Sequence, residues 1–571
     1  MAASFSSCPS LPISHRRPTL IVFQQQQPLT GGRSLPNAAQ RHRCSCQVAS
    51  VATTDRWAPA VTGDIDRGSQ SQLAETSGRS DDGQLAARWR EIHGSSNWEG
   101  LLDPIDPVLR AELIRYGEFA QATYDSFDYE RFSPYSGSCR YPAKTFFEDV
   151  GLVGAGYEVS RYLYATCNEL KLPNFGNPKH KSADDDKLWS ESGTFIGYVA
   201  VSTDEETARI GRRDIAVVWR GTTTRLEWVA DLTTNQRPLC EMGIPCPDPN
   251  VKVEMGFAEL YTGKDVDCRF CRYSAREQAL AEVRKLVELY HGRGEEVSVT
   301  ITGHSLGSAL AMLNAFDVAE TGANATPSGG AAPVCVFSFA GPRVGNLGFR
   351  ERFERELGVR ALRVVNVHDW VPKVPGAIFN EAAFPEAVLR AVDGLGVAGV
   401  YTHLGVALEL DHRASPFLKD TIDITCYHNL EAHLHLLDGF RGRGEGFELS
   451  GRDPALVNKS TDFLRDEHKV PPVWYQAENK GLVKTEDGRW VLRPRHRDIA
   501  EHPEDTDHYL QRLGLTTSSL IMCGLSTPLI PKFLPRPLGL ATSPLFRGGP
   551  IADNHVVRRL PHAHTTLRKI P

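Results

Sequence analysis

Apolar positions fall into two alternating periods along the middle of the chain. Residues 107–127 place Leu109, Leu113, Tyr116 and Ala120 on one stripe, the spacing of an amphipathic helix. Short Val-, Ile- and Phe-rich runs follow at 194–202, 214–221, 297–303, 333–341 and 361–369, each long enough for one strand. Helical patterns at 274–291, 308–320 and 347–357 separate the later runs. Strands apolar at consecutive positions are covered on both faces. Their alternation with helices predicts an α/β architecture around a mostly parallel sheet. No internal repeat is visible.

The ends of the chain differ from this. Residues 1–50 carry no acid, the first being Asp55, and are rich in Ser, Pro and Arg. This reads as a plastid or mitochondrial transit peptide, since "TLIVF" is too short for a secretory signal core. Residues 51–87 read as a polar, Gly- and Ser-rich linker. The folded domain is expected over 88–513. Residues 514–571 hold eight prolines and one acid, Asp553, and read as a basic, low-order tail.

The 571 residues suit one large domain with extensions, or two to four smaller ones. A formal net charge of −6 with no long basic run gives no sign of a nucleic-acid partner. No stretch of 18 apolar residues appears, so no transmembrane helix is expected and membrane contact would be peripheral. Cys268 and Cys271 form a lone C-x-x-C, read first as two ordinary cysteines, with a redox pair or a metal site as alternatives.

Chemistry concentrates at "VTITGHSLGSALAMLNA", residues 299–315. Gly303-His304-Ser305-Leu306-Gly307 is a G-x-S-x-G motif with a β-rich run before it and a helix former after it. The glycines let elements pass close to a sharp turn, and the turn exposes the serine hydroxyl at a helix N-terminus. A serine nucleophile needs a base, and the base an orienting acid. Asp369, at the end of the strand "LRVVNV", is the best acid; Asp317, Asp393 and Asp411 are weaker. His428 is the preferred base because it sits between the strand-like "TIDITCY" and a helix start. His435 and His403 are alternatives, the latter alternating with Tyr401 and Gly405 as in a strand; His433 reads as packing or surface. Leu306, after the serine, and Thr222, after "VVWRG", are candidates for the two oxyanion donors.

Taken together, "GHSLG", "WRGT" before "EWVADL", "VEMGFAELY" (253–261), "FAGPRVGN" (339–346) and "NVHDWVPKVP" (366–375) resemble the class 3 lipases. Residues 86–94 and 451–483 further resemble the plant plastid group of phospholipases A1. The resemblance implies an α/β-hydrolase fold with a lid helix, and Ser305, Asp369 and His428 as nucleophile, acid and base. Thr222 matches that family's oxyanion position, and the lid would carry Leu226, Trp228, Val229 and Leu232. The implied activity is release of fatty acid from the sn-1 ester of plastid phospholipids or galactolipids, with the acid available to oxylipin (jasmonate) synthesis. The implied place is the plastid, at thylakoids or plastoglobules, on membrane or lipid-droplet substrate. No cofactor or metal is called for, and the oligomeric state is left open. A mono-, di- or triacylglycerol lipase is the alternative within the class. An inactive lipid- or hormone-binding hydrolase fold is the alternative outside it.

Overall fold

The structure is a computed structural model that describes residues 84–129, 137–166, 193–222, 235–268, 270–376, 380–395 and 399–475. It also places two short strands, Leu482–Lys484 and Trp490–Leu492. The expected leader (1–50), most of the linker, the four lid residues Leu226, Trp228, Val229 and Leu232, and the tail lie outside the described residues.

Seven strands form one sheet: β1 (Tyr157–Thr166), β2 (Gly193–Ser202), β3 (Arg213–Trp219), β4 (Val297–His304), β5 (Val334–Phe339), β6 (Arg360–Asn366) and β7 (Val406–Leu410). Their order in space is their order in the chain. The first two pairings are antiparallel and the remaining four parallel, as in the α/β-hydrolase fold. Parallel crossovers are right-handed, so strands that step steadily in one direction send every crossover helix to the same face.

That face is built by α3 (Ala275–Gly292) and α4 (Leu306–Glu320), against Ile215, Val217 and Trp219 of β3 and Val299 and Ile301 of β4. The opposite face must be covered by the chain ends. There α1 (84–92), α2 (Pro107–Asp125) and α5 (Leu430–Gly439) pack on Ala216 and Val218 of β3, Phe337 and Phe339 of β5, and Leu362 and Val364 of β6. Neighbouring residues of one strand thus serve opposite cores, as the two-residue period of a strand requires.

Three differences from expectation have local causes. Residues 84–87, assigned to the linker, begin α1, because Leu85 and Trp89 share one buried helical face. β1 was not anticipated, since Glu158 and Arg161 break its apolar pattern. "TIDITCY" is not a strand. Asp423 caps a one-turn helix, Ile424–Tyr427, by accepting from the Thr425 amide.

Candidate active site

β4 runs directly into α4, and Ser305 is the single residue between them. Its backbone sits at φ 60°, ψ −127°, a left-handed value that few non-glycine residues adopt. The Ser305 amide donates to Phe339 O at the end of β5 (2.9 Å), which fixes the turn. Both flanking glycines are there for space. A Cβ on Gly303 would stand 2.4 Å from the Gly307 carbonyl carbon, and one on Gly307 would stand 2.3 Å from Trp219 O. Ser308 Oγ ties the underside together by donating to Gly303 O at 2.6 Å.

Asp369 follows β6 in a tight turn, its amide donating to Asn366 O at 2.9 Å. The carboxylate is buried and aimed. Oδ1 accepts from the Val371 amide at 2.9 Å, and Oδ2 faces His428 Nδ1 at 2.7 Å. His428 ends the 424–427 helix, and Asn429 beside it caps α5 and donates to Val457 O and Thr461 Oγ1. That pinned corner sets the imidazole with Nε2 2.8 Å from Ser305 Oγ. With the Nδ1 proton given to the carboxylate, Nε2 is left to accept from the hydroxyl. The chain Asp369–His428–Ser305 is therefore closed at hydrogen-bond distance throughout.

Gly221 packs against the elbow, where a Cβ would lie 2.6 Å from His304 O and 3.3 Å from Ser305 Cβ. Thr222, the next residue, is half-buried. Leu306 is the first residue of α4, so its N–H has no carbonyl within the helix to bond. The same helix end directs its partial positive charge at Ser305.

The remaining candidates are held elsewhere. Asp317 is clamped by Arg276 (2.6 and 2.9 Å) and Tyr261 OH (3.1 Å). Asp393 pairs with Lys252 and Asn346. His433 Nε2 accepts from the Asn366 amide at 3.3 Å, His435 Nε2 meets Ser415 Oγ at 2.9 Å, and His403 Nε2 meets Pro372 O at 2.7 Å. Burial pushes both His433 and His435 down from the ordinary imidazole range, so both are neutral packing residues.

One participant was not anticipated. His304, inside the motif, packs its ring against His428 at a tilt, with ring centres 4.7 Å apart. Its Nε2 donates to His428 O at 2.9 Å, and its Nδ1 accepts from Tyr124 OH at 2.9 Å. Burial, then the charges of His428 and His433, hold its pKa well below the usual range, so it stays neutral. The bond to His428 spans 124 residues and that to Tyr124 spans 180, so only its place inside G-x-S-x-G hinted at it. Cys268 and Cys271 are joined as a disulfide in the loop before α3, their Cα atoms 5.4 Å apart, rather than standing as two separate thiols.

Residues 216–379 match the model of the lipase (class 3) family, a span that takes in Ser305, Asp369 and Thr222. The chain is 54% identical over 434 residues to the chloroplastic phospholipase A1-Igamma1 of Arabidopsis thaliana, covering 75% of this chain and 82% of that protein. The chain belongs to the class 3 lipase family. Within it, this lipase is 52% identical over 436 residues to the chloroplastic phospholipase A1-Igamma2 of the same plant, covering 76% of this chain and 80% of that one. Among solved structures, lipase II from Rhizopus niveus aligns with 47% of the lipase and 76% of its own chain, at 22% identity and a TM-score of 0.29. As a class 3 lipase the chain is a carboxylic ester hydrolase.

Proposed function

We propose that this lipase is a phospholipase A1-type acyl hydrolase of plastid glycerolipids, with Ser305 as nucleophile, His428 as base and Asp369 as orienting acid. The observation that carries it is the unbroken contact from Asp369 Oδ2 through His428 to Ser305 Oγ, at 2.7 and 2.8 Å. Identity above half to two chloroplastic phospholipases A1 supports the substrate class and the compartment.

His428 Nε2 takes the hydroxyl proton as Ser305 Oγ attacks the ester carbonyl. The backbone N–H of Leu306 and the N–H or hydroxyl of Thr222 receive the oxyanion. His428 returns the proton to the departing lysolipid oxygen. Water, deprotonated by the same imidazole, then frees the fatty acid. Asp369 holds the ring in the correct tautomer and stabilises the imidazolium. Residues 223–232 act as the lid, with Leu226, Trp228, Val229 and Leu232 turning to the lipid surface when it opens. Among the described residues no helix is long and apolar enough to cross a membrane, which suits peripheral docking at thylakoids or plastoglobules. The leader directs import, the linker and tail flank the catalytic domain, and the reaction uses no metal.

Mixed-chain phosphatidylcholine, monogalactosyl diacylglycerol and triacylglycerol, each with a distinct acyl group per position, test this reading. The expected product is the sn-1 acid from the polar lipids, lost at least ~10³-fold in Ser305→Ala. Release from triacylglycerol alone would make the enzyme a neutral-lipid lipase. No serine-dependent release would leave a lipid-binding module.

A further inference from the structure

Asn366, the last residue of β6, organises a second polar cluster beside the catalytic acid. Its Nδ2 donates to Tyr427 O at 3.2 Å, so its Oδ1 must serve the N–H groups that approach it. These are the His368 amide at 3.5 Å and His412 Nδ1 at 3.3 Å. His412 Nδ1 therefore carries the proton, and Nε2 carries the lone pair.

That Nε2 is buried and has no hydrogen-bond partner, in a residue only 2% exposed. His368 Nε2 is likewise buried without a hydrogen bond, though Asp411 Oδ1 lies 3.2 Å away. One nitrogen of each ring and one carboxylate oxygen of Asp411 all lie within 4.8 Å of one another. Packing accounts for part of this, since the His412 ring stacks on Tyr427 with centres 4.6 Å apart. It does not account for His412 Nε2, shut off from water without a hydrogen-bond partner beside the His368–Asp411 pair, whose carboxylate otherwise accepts, among the described residues, only the Arg413 amide at 2.9 Å.

We propose that His368, Asp411 and His412 form a binding site for one divalent transition ion of the zinc type. Two imidazoles and a carboxylate are a borderline-soft donor set that suits zinc and leaves a position for water. Asn366 supplies the outer contact that such histidines ordinarily have, a carbonyl oxygen on the ring N–H opposite the ligating nitrogen. Asp411 also lines a cavity of about 370 Å³, together with Val367 and Arg443. The ion would clamp the loop after β6 to the loop after β7. Asp369 is in the first of these, yet both its oxygens are already committed to Val371 and His428, so the ion stands outside the triad.

The test is calorimetric titration of the chelator-treated full chain with zinc sulfate, followed by zinc X-ray absorption of the loaded protein. His368→Gln and Asp411→Asn are the informative variants. Their side chains are 27% and 47% exposed, so neither opens a hole in the core. The expected result is one equivalent bound through nitrogen and oxygen at about 2.0–2.1 Å. Affinity should fall about 10-fold or more in each variant and stay unchanged in Cys268→Ser/Cys271→Ser. No binding up to about 1 mM zinc would overturn the proposal. So would sulfur in the first shell, or full affinity in both variants.

Discussion

Ser305 keeps a left-handed backbone for the sake of where it puts its hydroxyl. A non-glycine residue there stores about 1–3 kcal/mol of strain. Replacing it by glycine relieves that strain, so Ser305→Gly is expected to raise the melting temperature, by about 1 kcal/mol in stability, while abolishing ester hydrolysis. A lower melting temperature would mean the turn is unstrained. His304 acts one step further back, through the His428 carbonyl. His304→Phe keeps an aromatic ring but removes both hydrogen bonds. It is expected to lower kcat by about 10²-fold with little change in KM, the cost of a displaced base; an unchanged kcat would remove His304 from the machinery. Ser305, Asp369 and His428 were legible because each has a local signal: a motif, a strand end, a helix start. His304 has only its place inside the motif, and Tyr124 and the His368–Asp411–His412 cluster have no local signal. Their meaning comes from contacts between distant segments.

At the level of elements, the elbow works only if α4 and β3 nearly touch. Gly307→Ala drives a methyl into Trp219 O, a backbone atom that cannot rotate away. The expected loss is about 2 kcal/mol of stability, read from denaturant melts, together with lost activity because the chain leaving β3 leads directly to Thr222. Five strands were readable because burial on both faces leaves them nearly all apolar. β1 was not, because an antiparallel edge strand tolerates Arg161, which reaches Glu282 on α3 at 3.9 Å. The 424–427 turn misled for the opposite reason. Its β-branched residues favour a strand, but capping by Asp423 and a hydrogen bond from Tyr427 OH to Thr421 O decide the local structure.

Across the whole molecule, the face bearing α1 and α2 is held to the sheet by buried charge as well as by apolar packing. Asp214 of β3 accepts from Ser298 Oγ and Thr300 Oγ1 (2.6 Å each), Tyr116 OH (2.9 Å) and Tyr157 OH (3.0 Å). Nearby, Glu112 of α2 faces Arg115 at 3.3 Å, and Arg212 and His93 at 3.8 Å. Burial alone would push the Glu112 carboxyl up, but Arg115, His93 and Arg212 outweigh it and hold it at about 2. A carboxylate depressed in the folded state contributes stability above its unfolded pKa near 4.5 and loses it as pH falls toward 2. The contribution at stake is on the order of 3 kcal/mol. Glu112→Gln is therefore expected to melt lower at neutral pH, with two arginines left short of a partner, but to show a flatter fall between about pH 5 and 3. Parallel curves would place the acid sensitivity elsewhere. All of this architecture exists to hold one hydroxyl against one imidazole. The most direct measurement is to treat the full chain with a fluorophosphonate and locate the adduct by peptide mass spectrometry. A single adduct on Ser305, formed far more slowly in His428→Ala and alongside loss of lipid hydrolysis, is the expected result. An adduct on another residue, or lipid hydrolysis that survives full modification of Ser305, would contradict the account.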